Sequence, residues 1–199
     1  MLNYKQKVTL NPSFDAYASY LGNIDDIFSQ ATVLARTSRN ILKKTDINGV
    51  PIVIKSYGRP GTIRSFLYRW LSKPKALKAY LHAQRLRELG FNTPEPVAHI
   101  ELRNALQLDK SYYLCRFHQH DFALEKILRP FDGSATSIDI IQAFTRFTFA
   151  LHEANILHVD HNVGNTLINR SSADWQFTLI DINRMKFEPL SLTDRLNNF

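Results

Sequence analysis

Three oxygen-bearing side chains stand out by type and spacing: Asp160, Asn165 and Asp181. Asp160 closes His158-Val159-Asp160, Asn165 follows it within one short loop, and Asp181 lies in Ile180-Asp181-Ile182-Asn183-Arg184. One carboxylate that can face an acceptor hydroxyl, with an amide oxygen and a second carboxylate to hold a hard divalent cation, is the equipment of phosphoryl transfer. That reaction asks a protein for positioning and charge neutralisation more than for covalent chemistry. Mg²⁺ prefers such oxygen ligands beside phosphate oxygens and water. The reading makes Asp160 the catalytic carboxylate and Asn165 and Asp181 the metal ligands. Each residue taken singly has a plainer reading: a turn cap for Asp160, a loop residue beside Gly164 for Asn165, a strand end for Asp181. The joint spacing carries the argument, because H-x-D-x-x-x-x-N is the pattern of a kinase catalytic loop.

Those residues need elements to hold them. Ile156-Leu157-His158, Thr166-Leu167-Ile168 and Phe177-Thr178-Leu179-Ile180 are short apolar runs that predict buried strands, with the polar residues at strand ends. Upstream, the spacing predicts a helix over Ser137–Asn155, with Ile138, Ile141, Phe144, Thr148 and Leu151 inward, delivering the loop. Val50–Lys55 and Arg39–Thr45 read as a hairpin around Asn48-Gly49. Lys55 closes its strand in the Val-Ile-Lys context of a lysine that holds the α- and β-phosphates of ATP. No glycine-rich loop precedes it; Thr37–Asn40 is the candidate polar turn.

Asn11–Gln30 reads as a packing helix, and Pro74–Leu89 as a second one stopped by Gly90. In protein kinases the helix at this place supplies a glutamate to the strand lysine. Here its middle turn offers Tyr80, Leu81, His82 and Gln84, and Glu88 comes only in the last turn. Val97–Glu101 and Ser111–Phe117 form another strand pair, and His118–Asp121 breaks the pattern as a hinge. Asp121 has two readings, a partner for a nucleotide ribose or an N-cap to Phe122–Leu128.

A chain of 199 residues with 44% hydrophobic and 12% aromatic residues buries a proper core, which excludes disorder as the default. No apolar run reaches the length of a membrane span. Met1–Val8 lacks a signal-peptide core and Cys115 is the single cysteine, so a cytoplasmic setting without disulfides is expected. Cys115 lies in the apolar run Tyr112–Phe117 and reads as a buried small hydrophobe. The formal charge of +7 favours an anionic partner and argues against a cationic acceptor. Arg59, Arg64, Arg69, Lys73, Lys75, Lys78, Arg85 and Arg87 crowd one segment together with Phe66, Tyr68 and Trp70. Such a stretch suits an anionic membrane surface or a phosphorylated glycolipid, and a solvated helix face is the plain alternative. Nucleic acid, argued by charge alone, is the least supported partner, and the sequence sets no oligomeric state.

These segments together resemble the lipopolysaccharide core kinase family, whose members phosphorylate Kdo or heptose on a protein-kinase-like fold. The likeness rests on Lys55, Ser72–Ala76, Leu89–Val97 with its Thr93-Pro94-Glu95-Pro96, Leu151-His152-Glu153, the catalytic loop, and Leu179–Arg184. It implies Asp160 as catalytic base, Asn165 and Asp181 as Mg²⁺ ligands, Lys55 as phosphate binder and ATP as donor. The acceptor it implies is a lipopolysaccharide core sugar of an anionic glycolipid, reached from the inner face of the membrane. The expected fold is α+β and two-lobed, with an N-terminal lobe over 1–117 and a hinge and shortened C-terminal lobe over 118–199. Asp181-Ile182-Asn183 stands where protein kinases have Asp-Phe-Gly, with the carboxylate kept. Because the helix glutamate and glycine loop are missing, a nucleotide-binding pseudokinase is the alternative. Transfer to a protein tyrosine is a second one, carried by the resemblance.

Overall fold

The computed structural model describes residues 5–37, 40–58, 73–103, 108–171 and 174–198. The basic and aromatic residues from Arg59 to Trp70, and Ser38 and Arg39 of the polar turn, lie outside the described residues. The chain divides into two compact units, Met1–Gln84 with Glu95–Phe117, and Arg85–Pro94 with His118–Phe199.

The first unit is built on a six-stranded antiparallel sheet. Its strands are β1 (Lys5–Leu10), β2 (Thr32–Arg36), β3 (Asn40–Ile47), β4 (Val50–Tyr57), β5 (Pro96–Arg103) and β6 (Leu108–Arg116), in the order β1-β5-β6-β4-β3-β2. The β3–β4 hairpin turns at Asn48 (φ 54°) and Gly49 (φ 79°), the two positive φ values of the tight turn that matches strand twist. The Gly49 N–H donates to Asp46 Oδ1 at 2.7 Å. Alternation sorts the sheet's residues onto two faces. Ile52, Ile54, Ile100, Tyr112 and Leu114 pack against Phe14, Leu21 and Ile24. On the other face Lys55, Tyr113 and His99 lie in one row, since Tyr113 pairs with Lys55 across one ladder and with His99 across the next.

The Asn11–Gln30 segment is not the single helix that its apolar spacing predicts. A 3₁₀ helix at Pro12–Tyr17 is followed, past Gly22, by α1 (Ile24–Gln30). Asn23 takes an extended conformation, and its side chain accepts from the Asp26 N–H, so an N-cap interrupts the run. The packing role stands, because Phe14, Leu21 and Ile24 are buried.

Helix α2 (Lys75–Glu88) buries Ala76, Ala79, Tyr80, Ala83 and Leu86 at helical spacing. Tyr80 brings its ring centroid to 5.6 Å from that of His99. The helix therefore covers the sheet face that carries Lys55. Gly90 ends it in a left-handed conformation (φ 82°), and the Phe91 N–H reaches back to the Leu86 carbonyl at 2.9 Å.

The second unit contains β7 (Phe122–Ala123), α3 (Glu125–Leu128), α4 (Ala135–Glu153), β8 (Ile156–Leu157), β9 (Thr166–Arg170), β10 (Trp175–Leu179), β11 (Lys186–Phe187) and α5 (Leu192–Leu196). Its strands form a β10-β9-β7 sheet and a β11-β8 pair. Leu124, Ile140, Ala143, Ile168 and Phe177 make its core, with Phe144, Phe147 and Trp175 packed against them. Helix α4 buries Thr148 and Leu151 and packs Phe144 against this core as its spacing predicts, and departs from the predicted face at Ile138. Ile138 is 43% exposed, and the buried set is Ser137, Ile140, Ala143, Thr148, Leu151 and His152. The N-cap decides this: Ser134 caps the Ser137 N–H, and the Ser137 hydroxyl donates to Asp132 at 2.7 Å, which turns Ser137 inward.

Candidate active site

The loop that carries Asp160 begins where α4 stops. Asn155 adopts φ 57°, β8 follows, and His158 is buried to 1% exposure. His158 Nε2 lies 3.0 Å from the Ile180 carbonyl oxygen. A carbonyl only accepts, so this ring nitrogen carries the proton. Burial pushes the His158 pKa down against the raising effects of that hydrogen bond and of Asp160 and Asp181, which keeps the ring neutral at pH 7. The Asn198 side chain donates to the His158 carbonyl at 2.9 Å and meets His152 Nε2 at 3.0 Å.

Beyond His158 the loop folds back on the Asp160 carbonyl. That oxygen accepts from the Asn162 N–H at 2.8 Å and from Asn165 Nδ2 at 2.9 Å. The Asn162 side chain accepts the Gly164 N–H and opens a 3₁₀ turn over Val163–Asn165. Asn165 thus spends its amide nitrogen on the loop, which orients the amide plane and turns Oδ1 to other work. The Asp160 carboxylate points elsewhere: Arg184 Nη1 donates to its Oδ1 at 2.6 Å.

Asp181 follows β10 and Ile180. Its left-handed backbone (φ 56°, ψ 42°) is a strained conformation for a residue with a Cβ, costing about 1 kcal/mol or more. Several bonds hold it there. The Ile180 N–H donates to the Asn165 carbonyl at 2.9 Å, and Asn183 Nδ2 donates to Asp181 Oδ1 at 2.6 Å. Just before them, the Leu179 N–H donates to the Asn92 carbonyl and the buried Thr93 hydroxyl to the Leu179 carbonyl, each at 2.9 Å. The Asn92-Thr93 segment is therefore a brace for the stretch that leads into Asp181. Asn165 and Asp181 sit on adjoining, cross-bonded segments and offer an amide and a carboxylate oxygen. This donor set suits a hard cation that takes its remaining oxygens from phosphate and water. Among the described residues no three His, Cys, Asp or Glu side chains cluster into a self-sufficient metal cage.

Lys55 belongs to the first unit, half-buried on β4 with its Nζ 5.3 Å from the Tyr57 ring centroid. At the α2 position where a glutamate is missing, Tyr80 is buried against His99. The acid on that sheet face comes from a strand: Glu101, 3% exposed, accepts from Arg103 Nε at 2.7 Å and lies 3.7 Å from His99 Nε2. Asp121 is exposed, and its Oδ2 accepts the Arg170 N–H at 2.8 Å. It is not the cap of the following helix, since α3 begins at Glu125 with Leu124 in the cap position and no side-chain cap bond. Cys115 is buried and its thiol pKa is pushed up to about 12 by desolvation, so it is no nucleophile.

Sequence reasoning assigned no role to Arg184 or Asn198. Arg184 had a signal, its place three residues after Asp181 in one motif; Asn198 had none.

The fold is α+β and protein-kinase-like. It matches a solved structure described as WaaP in complex with acyl carrier protein, with a TM-score of 0.67 at 17% identity over 96% of this chain and 78% of that one. The model of the lipopolysaccharide kinase (Kdo/WaaP) family matches residues 59–193, and the chain belongs to that family. Membership makes it a kinase of the lipopolysaccharide core. No curated protein matches the chain. Among the described residues no helix is long and apolar enough to cross a membrane.

Proposed function

We propose that the chain transfers the γ-phosphoryl group of Mg-ATP to a hydroxyl of a Kdo or heptose residue in the lipopolysaccharide core. One observation carries this reading: hydrogen bonds tie the segments of Asp160, Asn165 and Asp181 into one network through the Asp160, Asn165 and Ile180 carbonyls. In this reading Asp160 accepts the proton of the acceptor hydroxyl as its oxygen bonds to phosphorus and the bond from phosphorus to the ADP oxygen breaks. Asn165 Oδ1 and the Asp181 carboxylate hold the metal, which when bound neutralises charge on the phosphate oxygens. Lys55 neutralises the α- and β-phosphates, and Asp121, through the oxygen not given to Arg170, takes a ribose hydroxyl. The basic segment from Arg59 to Lys78 meets the anionic surface that presents the acceptor.

The test is phosphoryl transfer from labelled ATP, with Mg²⁺ and the full chain, to lipid-A-linked Kdo and to heptose-extended core. Label on a sugar hydroxyl is expected. Absence of label with nucleotide still bound would favour the pseudokinase, the reading that the missing α2 glutamate supports.

A further inference from the structure

Arg184 occupies a turn that the fold holds firmly while leaving its side chain in solvent. Ile182 and Asn183 are buried, Asn183 is bonded to Asp181, and the Met185 N–H closes the turn on the Ile182 carbonyl at 3.3 Å. From this base the guanidinium reaches Asp160 with a single contact, Nη1 to Oδ1 at 2.6 Å. The Arg184 side chain is 59% exposed and that of Asp160 is 32% exposed. An ion pair this open adds only about 0–1 kcal/mol to stability, so folding alone gives little reason for it. Its geometry has another consequence. A guanidinium presents five N–H donors in a planar fork, and among the described residues one of them is engaged. The rest belong to a side chain that stays largely in solvent beside the carboxylate to which the proposed function gives the acceptor hydroxyl.

We propose that Arg184 recognises the acceptor, its guanidinium binding an anionic group, carboxylate or phosphate, on the saccharide whose hydroxyl Asp160 faces. The inference rests on the reading of Asp160 as the proton acceptor. A neutral sugar gains little from an exposed guanidinium, whereas a carboxylate or phosphate gains charge-assisted, two-pronged hydrogen bonds. The same residue then keeps its contact with Asp160 and sets the distance between the anion and the reacting hydroxyl. Arg184 acts on the choice of acceptor and leaves nucleotide binding to other residues.

The experiment measures equilibrium binding by calorimetry, with the full chain loaded with Mg²⁺ and a non-hydrolysable ATP analogue. The probes are two matched pairs: Kdo against its methyl ester, and glucosamine 1-phosphate against glucosamine. The wild type should prefer the charged member of at least one pair by about tenfold or more, the worth of a charge-assisted contact. Arg184→Gln should bind both members equally weakly, Arg184→Lys should recover part of the preference, and affinity for the nucleotide analogue should be unchanged in both. The pair that responds identifies the anion as the sugar's own carboxylate or as a phosphate. Equal binding of charged and neutral probes by the wild type, or full preference retained in Arg184→Gln, overturns the inference. Phosphoryl transfer measured alongside separates the two claims. Preference that depends on Arg184 without transfer to any sugar sinks the kinase reading alone, and transfer with preference intact in Arg184→Gln sinks this inference alone. Should Arg184→Gln fail to fold, the wild-type preference and the Arg184→Lys variant still decide.

Discussion

His158 Nε2 donates to the Ile180 carbonyl at 3.0 Å, so the residue two places before Asp160 is tied to the residue one place before Asp181. A single buried imidazole links the loop of the proposed base to the loop of the proposed metal ligand. Its position is over-determined, since Asn198 holds the His158 carbonyl from the other side.

Replacing His158 by Phe keeps most of the ring volume and removes the donor. The Ile180 carbonyl then loses a partner, which costs about 1–3 kcal/mol. The urea midpoint should fall accordingly, and turnover should fall further than stability at assay temperature explains. Wild-type turnover in a folded His158→Phe protein would show that the link does not position the site.

Asp160 and Asp181 are separable. Asp160→Ala should spare Mg-dependent nucleotide binding and abolish transfer, because the proposed function gives its carboxylate to the acceptor hydroxyl and not to the metal. For Asp181 the suitable variant is Asn: asparagine tolerates the left-handed backbone and can still accept from Asn183, while the charge and one acceptor oxygen are lost. Asp181→Asn should weaken nucleotide binding with Mg²⁺ present and leave metal-free binding nearly unchanged. Calorimetry with and without Mg²⁺ reads both. Equal turnover in wild type and both variants would overturn the assigned roles.

Acid should unfold the second unit earlier than its exposed carboxylates require. His161 stacks on Phe144 with ring centroids 5.2 Å apart and shares a hydrogen bond with the buried Thr148 hydroxyl. Burial first, then His158 and His152, lowers its pKa to about 4 from the usual 6.5. A folded-state pKa below the unfolded one means that the unfolded chain binds more protons between those values, so stability falls as pH drops from about 6.5 to about 4. The loss from this group reaches up to about 3 kcal/mol. Burial shifts His158 in the same direction. Urea midpoints at pH 7 and pH 5 should differ clearly, and His161→Phe should narrow the difference. A midpoint independent of pH over that window rules the account out.

Asn198 bridges His152 and the His158 carbonyl. Asn198→Ala should cost about 1–3 kcal/mol and reduce turnover, while Ala at the neighbouring exposed Asn197 should change neither by much. Thermal unfolding of the two variants makes the comparison. Equal melting temperatures would leave the bridge without a measurable role.

Several elements were legible because their causes are local. Asn48-Gly49 supplies the two positive φ values its turn needs, Gly90 supplies one for a helix stop, and the Ala76–Leu86 stripe buries at its own period. β1 and β2 were not legible. β1 carries Lys5 and Lys7, and every residue of β2 is exposed, so neither has the alternation that marks a strand. β1 exists because β5 offers a ladder about ninety residues away, with Lys5 opposite Arg103. Ile138 was misassigned because α4 has apolar residues on more than one face and its N-cap chose among them.

The sequence by itself determined which side chains are proposed to carry the chemistry: the spacing of His158, Asp160 and Asn165, and the motif around Asp181, are properties of the chain that no folding step alters. The tertiary structure alone decided how they are held. The bonds of His158 to Ile180, Arg184 to Asp160 and Asn198 to His158 join residues 22, 24 and 40 positions apart. Local propensity acts over a few residues, while such pairings form only when packing of the whole unit brings the segments together and makes an unpartnered polar group costly.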